Sequence, residues 1–471
     1  MHPWTFLSAR RLDRPGAGYV PAAAAKAHTI PFLAAILSLS LIAAPPAAAQ
    51  GNGRNILFIA VDDMRNWVGY AGDYPGTVHT PNIDALAAVS TRYLAAYASV
   101  PQCAGSRTSV MLGQSPATHG IDDWFSNYLQ YNALFANPWT ITLPQVMSQH
   151  GYHTAVTGKV FHSPQPGRWD ESGPATILDG PNDPFQPGPD GTYIIAEVLP
   201  PTETHLDQVA ANWAVDFIDT YAGGQTGSQP FFLAVGFFQP HLPWRAPQWA
   251  YDLYPLQDVI PHTPPPGDLD DEPFSARLLA AQLVIGGVPT HDLIEAQGKA
   301  AEYTRAYLAA MTHTDAMVGQ LLAALAASPY AATTDVVFWS DHGFHLGEKE
   351  HWRKNSYWEP AVRAPLLVSS PGNPDYPVGD VTDPVSLLDL APSVLDLAGL
   401  PAYPGFEGAP LHDAANRSPV EIYYRGGKAT VSGGIKDIDY LLALPGPYDR
   451  GRYDLGADPQ ENTNLLPPPG C

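Results

Sequence analysis

Two parts of this sequence carry side chains whose types and spacing suit nucleophilic and metal-assisted chemistry. The segment Pro101-Gln102-Cys103-Ala104-Gly105-Ser106-Arg107 runs into Thr108–Leu112 and reads as a loop turning into a helix. A helix N-terminus offers oriented N–H donors and a partial positive charge, so an anion is stabilised there. Arg107 stands four residues after Cys103 and falls one turn along the same face. Such a place suits a thiolate or an alkoxide nucleophile. Asp62 and Asp63 close the apolar run Asn55–Val61 and present hard oxygens on neighbouring positions. Asp341 and His342 close a second apolar run, and together the four could enclose one cation. Ligand hardness favours calcium, with magnesium next, and His342 is the soft member of the set. The plainer alternative for Asp62-Asp63 is a pair that only caps a turn.

These residues need a scaffold that brings distant tips together, and the hydrophobic pattern supplies one. Continuous apolar runs of five to eight residues, the mark of buried parallel strands, recur at Asn55–Val61, Phe231–Phe238, Thr334–Trp339 and Ala364–Ser369. His153–Thr157 is a weaker strand leading to Lys159. Helical patterns separate them at Pro81–Tyr93, Leu143–His150, His205–Tyr221, Ala300–Ser328 and Val385–Leu397. Alternation of this kind predicts an α/β fold, a large mostly parallel central sheet flanked by helices, with its site at the carboxyl ends of the strands. Two stretches rich in Pro, Gly and Asp, Ser163–Pro200 and Tyr251–Lys299, read as lids or binding loops. The second holds an apolar stretch, Ala276–Ile285, expected to form a short helix. After Pro401 come short β-like runs, Val420–Tyr424 and Tyr440–Leu444, then Arg452-Tyr453-Asp454-Leu455, which predict a small C-terminal antiparallel β subdomain.

The segment around Cys103 resembles the sulfatase signature, Cys-x-Pro-x-Arg followed by a Thr/Ser-rich turn and Gly. Asn55–Asp63 with Thr80-Pro81-Asn82-Ile83-Asp84-Ala85-Leu86-Ala87 resembles that family's opening strand and first helix, and Gly113–Gly120 is also similar. The likeness runs from Asn55 to about Leu465 and implies an alkaline-phosphatase-like fold. It implies that Cys103 is oxidised to formylglycine by a formylglycine-generating enzyme, and that the nucleophilic oxygen, beside Asp62, Asp63, Asp341 and His342, meets one Ca2+, or less favourably Mg2+. Asp341-His342-Gly343 matches the iduronate-2-sulfatase-like branch. Gly158-Lys159-Val160-Phe161-His162 resembles the family's Gly-Lys-x-x-His segment, where Lys holds sulfate and His works on the formylglycine hydroxyl. Gln239-Pro240-His241-Leu242-Pro243 resembles the strand end whose His contacts the leaving group, and flanking prolines stiffen that loop. A buried structural histidine is the alternative there. Lys354 matches the second sulfate-binding lysine, and Arg107 joins the two lysines in binding the spreading negative charge. His345, His351 and Arg353 read as solvated surface. One departure stands out: the signature's Pro is Gly105, which is expected to loosen the segment and hinder maturation.

The implied reaction is hydrolysis of a sulfate ester on a sulfated uronic acid or other sugar. A phosphonate or phosphodiester hydrolase sharing the nucleophile and cation is the enzymatic rival. A sulfatase-like glycan-binding protein, left with an unmodified thiol, is the non-catalytic one.

Bulk composition narrows the partners. The chain has 471 residues with a net charge of −22, and residues 1–49 hold four basic and one acidic side chain, so the remainder carries −25. Nucleic acid and anionic membrane are poor partners for such a surface. Arg10, Arg11, Arg14 and Lys26 precede an apolar run, Ile30–Ala44, and a small-residue site at Ala47-Ala48-Ala49. This reads as an export signal over residues 1–49, too short for a stable membrane span of the mature chain. A catalytic domain over residues 50–400 and a small subdomain over 401–471 complete the expected organisation, in the periplasm or outside the cell. The two cysteines, Cys103 and Cys471, would by default pair in an exported protein, but the surroundings of Cys103 point to chemistry.

Overall fold

The computed structural model describes residues 51–174, 196–221, 229–281, 290–416, 419–441 and 449–466. The expected export signal and Cys471 lie outside them, as do most of Tyr440–Leu444 and parts of both long loops. Among the described residues, no helix is long and apolar enough to cross a membrane.

An eight-stranded sheet forms the centre. Its middle strands, in spatial order, are Thr334–Ser340, Asn55–Val61, Phe231–Phe237 and His153–Gly158, all parallel. The Asn55 strand is apolar throughout because both its faces are covered. Leu57, Ile59 and Val61 enter one core with the helices Leu206–Tyr221 and Ala300–Ala327. Ile56, Phe58 and Ala60 enter the opposite core with the helices Cys103–Leu112, Leu143–Gln149 and Leu390–Leu397. Side chains alternate between faces along a strand, so a two-sided core demands an unbroken apolar run. Phe58 lies between Phe232 and Trp339, ring centroids at 5.7 and 5.4 Å. Truncating it to alanine is worth about 3–5 kcal/mol.

Several expectations need correction. Leu366–Ser369 joins the sheet antiparallel to Thr334–Ser340: the connection between them, which carries only a 3₁₀ turn and the four-residue helix Glu359–Val362, returns the chain at the end of the strand it left. The expected helix Pro81–Tyr93 stops at Ala87, and Thr91–Tyr93 instead becomes a strand beside Leu366–Ser369 and Gly379–Val381. In Val385–Leu397 the helix begins only at Leu390, after two residues of strand and a 3₁₀ turn. The helix carrying Cys103 starts at Cys103 itself, capped at its far end by Gly113 at φ 61°. In the second long loop, Phe274–Ala280 and His291–Ala296 are helical.

Near the C-terminus four antiparallel strands, Val420–Tyr424, Gly427–Ser432, Ile435–Asp439 and Arg450–Asp454, form a separate sheet. Its apolar face packs on Tyr357, Trp358 and the Phe274–Ala280 helix. Within that contact Lys436 is fully buried between Glu359 and Glu461, at 2.6 and 2.8 Å.

Candidate active site

Val61 lies in register with Phe237 on one side and Ser340 on the other. The segments leaving these three strands therefore start side by side. Asp62 N donates to Phe237 O and Asp341 N to Val61 O, both at 3.1 Å, extending the pairing past the strand ends. Adjacent strand side chains diverge, so Asp62 and Asp63 converge only because the backbone turns. Asp63 has φ 60°, in the left-handed region that Asp tolerates better than most residues. Tyr307 holds the turn: its hydroxyl donates to Asp63 O at 2.7 Å and accepts from Arg65 N at 2.9 Å. Ser340 Oγ accepts from Met64 N at 2.9 Å and fixes the next residue.

Cys103, the first residue of its helix, is buried with its sulfur in this turn. Sγ lies 2.9 Å from Lys354 Nζ, 3.3 Å from His342 Nε2 and 3.8 Å from Asp63 Oδ1. Burial alone would push the thiol up, but the ammoniums of Lys354 and Lys159 prevail over Asp62 and Asp341, so the net shift is downward. The site thus favours an anion at the Cys103 side chain.

Ligand atoms of Asp62, Asp63, Cys103 and His342 all lie within 4.8 Å of one another, and all four residues are buried. Asp63 Oδ2 accepts no hydrogen bond. His342 Nδ1 lies 2.8 Å from Gly343 O and donates there; burial disfavours a second proton, but without a cation Asp341 and Cys103 outweigh it and raise the His342 pKa to about 9, so a cation would take the place of the Nε2 proton. Two carboxylates, one of them with an orphaned buried oxygen, and an imidazole nitrogen fit a single divalent cation. Asp341 borders this group: Oδ1 accepts from Asp63 N at 3.1 Å and is 3.6 Å from His342 Nε2, while Oδ2 accepts from Arg107.

Arg107 differs from its expected role. Fully buried, it donates through Nε to Asp341 Oδ2 at 2.7 Å, through Nη1 to Lys159 O and Val160 O at 2.5 and 3.1 Å, and through Nη2 to Val61 O and Asp62 Oδ1 at 3.2 and 3.4 Å. A guanidinium has five N–H donors. All five are engaged, so none is left for a bound anion, and Arg107 instead ties the carboxylates to the strand ends.

The two lysines approach from different sides. Lys159 follows Gly158, whose φ of 69° and backbone contact with Gly236 leave no space for a side chain: a Cβ there would lie 1.9 Å from Gly236 O. Lys159 Nζ pairs with Asp62. Lys354 Nζ donates to Asp63 Oδ1 at 2.6 Å. Burial disfavours its charge, yet Asp63 and the Cys103 sulfur more than compensate, and its pKa is raised. Asp62 is likewise opposed by burial, but Lys159, Arg107 and Lys354 hold it well below the usual carboxylate range.

Of the two expected catalytic histidines, His241 approaches Asp63, and His162 is buried within the field of Lys159 and Asp62. His241 Nδ1 is 2.7 Å from Leu242 O and Nε2 is 4.0 Å from Asp63 Oδ2. Burial, then Lys354, pushes it well down, so the ring is neutral at pH 7. His162 packs against Trp124 at 4.2 Å between ring centroids. Its Nδ1 is buried without a partner, and burial followed by the Lys159 charge pushes its pKa to about 3.

Other positions overturn or extend the sequence reading. His345, His351 and Arg353 are buried, not solvated surface. His345 Nε2 lies 2.7 Å from Ser356 Oγ, and His351 Nε2 lies 2.8 Å from Lys354 O, so both brace the loop that delivers Lys354. Gly105 is packed rather than loose: an added Cβ would sit 2.6 Å from Val100 Cγ2 and 2.7 Å from Ile121 O. Sequence reasoning missed Asp207, which accepts from Phe238 N and Gln239 N at 2.7 and 2.8 Å and pins the turn toward His241. It also missed Trp124 and Tyr307. Asp207 carried a weak signal, an acid in the first turn of a predicted helix; the two aromatics carried none.

The family model Sulfatase matches residues 54–400. Over 369 residues the chain is 36% identical to a protein named Sulfatase from Formosa agariphila, covering 74% of this chain and 70% of the relative. Over 412 residues it is 31% identical to mouse (Mus musculus) iduronate 2-sulfatase, covering 76% and 72%. The solved structure of BT4656 in complex with its substrate D-glucosamine-2-N,6-O-disulfate shares the fold with a TM-score of 0.67 at 21% identity, covering 88% of this chain and 93% of that one.

Proposed function

This chain belongs to the sulfatase family and hydrolyses sulfate esters, and we propose that it does so with a formylglycine made from Cys103, on a sulfated sugar of the iduronate-2-sulfate type. The observation that carries the reading is the meeting of Cys103, Asp62, Asp63 and His342 in one buried cluster flanked by Lys159 and Lys354. Cys103 Sγ stands in for an oxygen of the formylglycine hydrate. Asp62, Asp63 and His342, with Asp341 at the border, would hold one cation, calcium by ligand hardness. Together these two groups supply a nucleophilic oxygen that ionises cheaply and a polarised sulfate oxygen.

The remaining steps belong to the chain's own side chains. His162 is kept neutral by burial, and its Nδ1, buried without a partner, serves as the proton acceptor for the formylglycine hydroxyl. Lys159 and Lys354 bind the sulfate oxygens, whose charge grows as the sulfur–oxygen bond to the alcohol breaks. Lys354 Nζ delivers a proton to the departing alcohol oxygen, while His241, its one proton held on Nδ1 by Leu242 O, faces the leaving group with Nε2 as an acceptor. Arg107 acts indirectly, by holding Asp62 and Asp341. The products are the free alcohol and sulfate.

The sugar assignment draws on Asp341-His342 and the Gln239–Pro243 segment, and on the names of the relatives. Export through residues 1–49, and maturation by a formylglycine-generating enzyme, belong to the same proposal. Mass spectrometry of the peptide spanning Cys103 from exported protein tests it. Formylglycine is expected; only unmodified thiol, or a disulfide with Cys471, would remove the catalytic reading. Parallel assays on an aryl sulfate and an aryl phosphodiester decide the chemistry, and a clear preference for the phosphorus ester would overturn the sulfatase assignment.

A further inference from the structure

The helix Trp124–Ala136 begins at the wall of the site and leaves it with an apolar face uncovered. Trp124 N donates to the side chain of Gln102, the neighbour of Cys103, and the Trp124 indole packs on His162. One turn further out, Tyr128 meets Trp124 edge to face at 5.0 Å. Phe125, Tyr128 and Leu129 are 59%, 50% and 79% exposed. Their spacing of three and four residues puts them on one side of the helix. On the other flank, the turn between Val420–Tyr424 and Gly427–Ser432 docks its Arg425 Nε on Asp123 at 3.3 Å and its Gly426 N on Asp122 at 2.7 Å. The N-terminal end of the ridge is therefore fixed twice, at His162 and at the turn of the C-terminal sheet.

Contiguous apolar side chains on a surface of this acidity mark a binding face. We propose that the ridge formed by Trp124, Tyr128 and Phe125 is a subsite for the sugar residue next to the sulfated one, so that the substrate is an oligosaccharide rather than a lone monosaccharide. The inference rests on the sulfated-sugar reading above. Tyr128 continues outward the surface that starts with Trp124 beside His162. The C–H-bearing face of a pyranose ring is apolar enough to lie on an aromatic ring, while its hydroxyls stay in water or reach Asp122 and Arg425. Aromatic side chains suit this role because they offer a large rigid surface with few rotatable bonds to freeze. A protein of net charge −22 repels an anionic glycan at long range, and a neutral stacking surface attracts the carbohydrate face without relying on charge.

The test compares matured wild-type enzyme with Tyr128→Ala and Phe125→Ala on sulfated tetrasaccharides from heparin, chondroitin sulfate and ulvan, and on 4-nitrophenyl sulfate. For the best tetrasaccharide, kcat/KM relative to that for 4-nitrophenyl sulfate is expected to fall about tenfold in Tyr128→Ala, through KM rather than kcat. An unchanged ratio in both variants overturns the subsite, including the case in which light scattering shows that the variants have only lost a dimer. Wild-type turnover of 4-nitrophenyl sulfate with no tetrasaccharide cleaved overturns the sugar reading itself. Turnover of both with an unchanged ratio overturns the ridge alone.

Discussion

Arg107 and Asp341 form an ion pair that solvent does not reach, Nε to Oδ2 at 2.7 Å with both side chains fully buried. The other four N–H groups of Arg107 hold Asp62 and three backbone carbonyls. Removing one partner of such a pair leaves a buried charge uncompensated. Arg107→Ala should therefore cost about 3–5 kcal/mol of stability, and Arg107→Lys, with three donors in place of a planar fork, should fold with reduced metal content. Urea unfolding and elemental analysis of both variants check this. Full metal occupancy with activity alone abolished would show that Arg107 contacts the sulfate after all.

Lys159 and Lys354 already neutralise Asp62 and Asp63, so the metal-free protein should stay folded. Chelation is expected to abolish turnover and lower Tm, with calcium restoring both; saturation at about a thousandfold over Kd stabilises by roughly 4 kcal/mol. Lys354→Ala should lower kcat on an aryl sulfate by about a hundredfold or more, because a donor aimed at developing charge is lost. Unaltered kcat with raised KM would place Lys354 in ground-state binding only.

Gly105 has no room for a side chain, with Val100 Cγ2 and Ile121 O at 2.6 and 2.7 Å from a built Cβ. Gly105→Ala should destabilise the fold by about 1–3 kcal/mol through overpacking, despite the better helix propensity of alanine. Chemical denaturation measures the sign. A stabilised variant would mean that Val100 and the Ile121 segment yield easily.

His119 tests burial electrostatics away from the chemistry. Nδ1 accepts from Ile121 N at 3.0 Å, and Nε2 faces Ser109 Oγ at 2.9 Å, an arrangement only the neutral ring satisfies. Burial pushes its pKa from 6.5 to about 3. The unfolded chain binds the proton more readily, so this group's contribution is intact above about pH 6.5 and is lost progressively as pH falls toward 3. Replacing it by glutamine, which can make both bonds, should reduce the slope of unfolding free energy against pH by about 1.4 kcal/mol per pH unit between pH 4 and 6. Identical slopes in wild type and His119→Gln would contradict a neutral buried His119.

What the sequence disclosed follows from which interactions are local. The Asn55–Val61 and Phe231–Phe237 strands were readable because two-sided burial leaves an unbroken apolar run, and polar residues at strand ends marked the site. Antiparallel Leu366–Ser369 was not, since direction depends on a connection and not on composition. Arg107 reads locally as a cation near a nucleophile, and its five partners, up to 234 positions away in the chain, decide that it is structural. His345 and His351 read as surface because their burial depends on packing that local sequence does not show, Trp358 against His345 and the Ala280 carbonyl against His351. Trp124 gave no signal because an aromatic at a helix start has no preferred role until its neighbour in space is known.

His351 touches two carbonyls, Lys354 O at 2.8 Å through Nε2 and Ala280 O at 3.2 Å through Nδ1. Ala280 ends a helix inside the long insertion, while Lys354 belongs to the chemistry. Anyone transplanting that insertion from another enzyme to change its preference would therefore also be retuning the lysine, unless the graft stops short of Ala280 or carries a matching histidine with it.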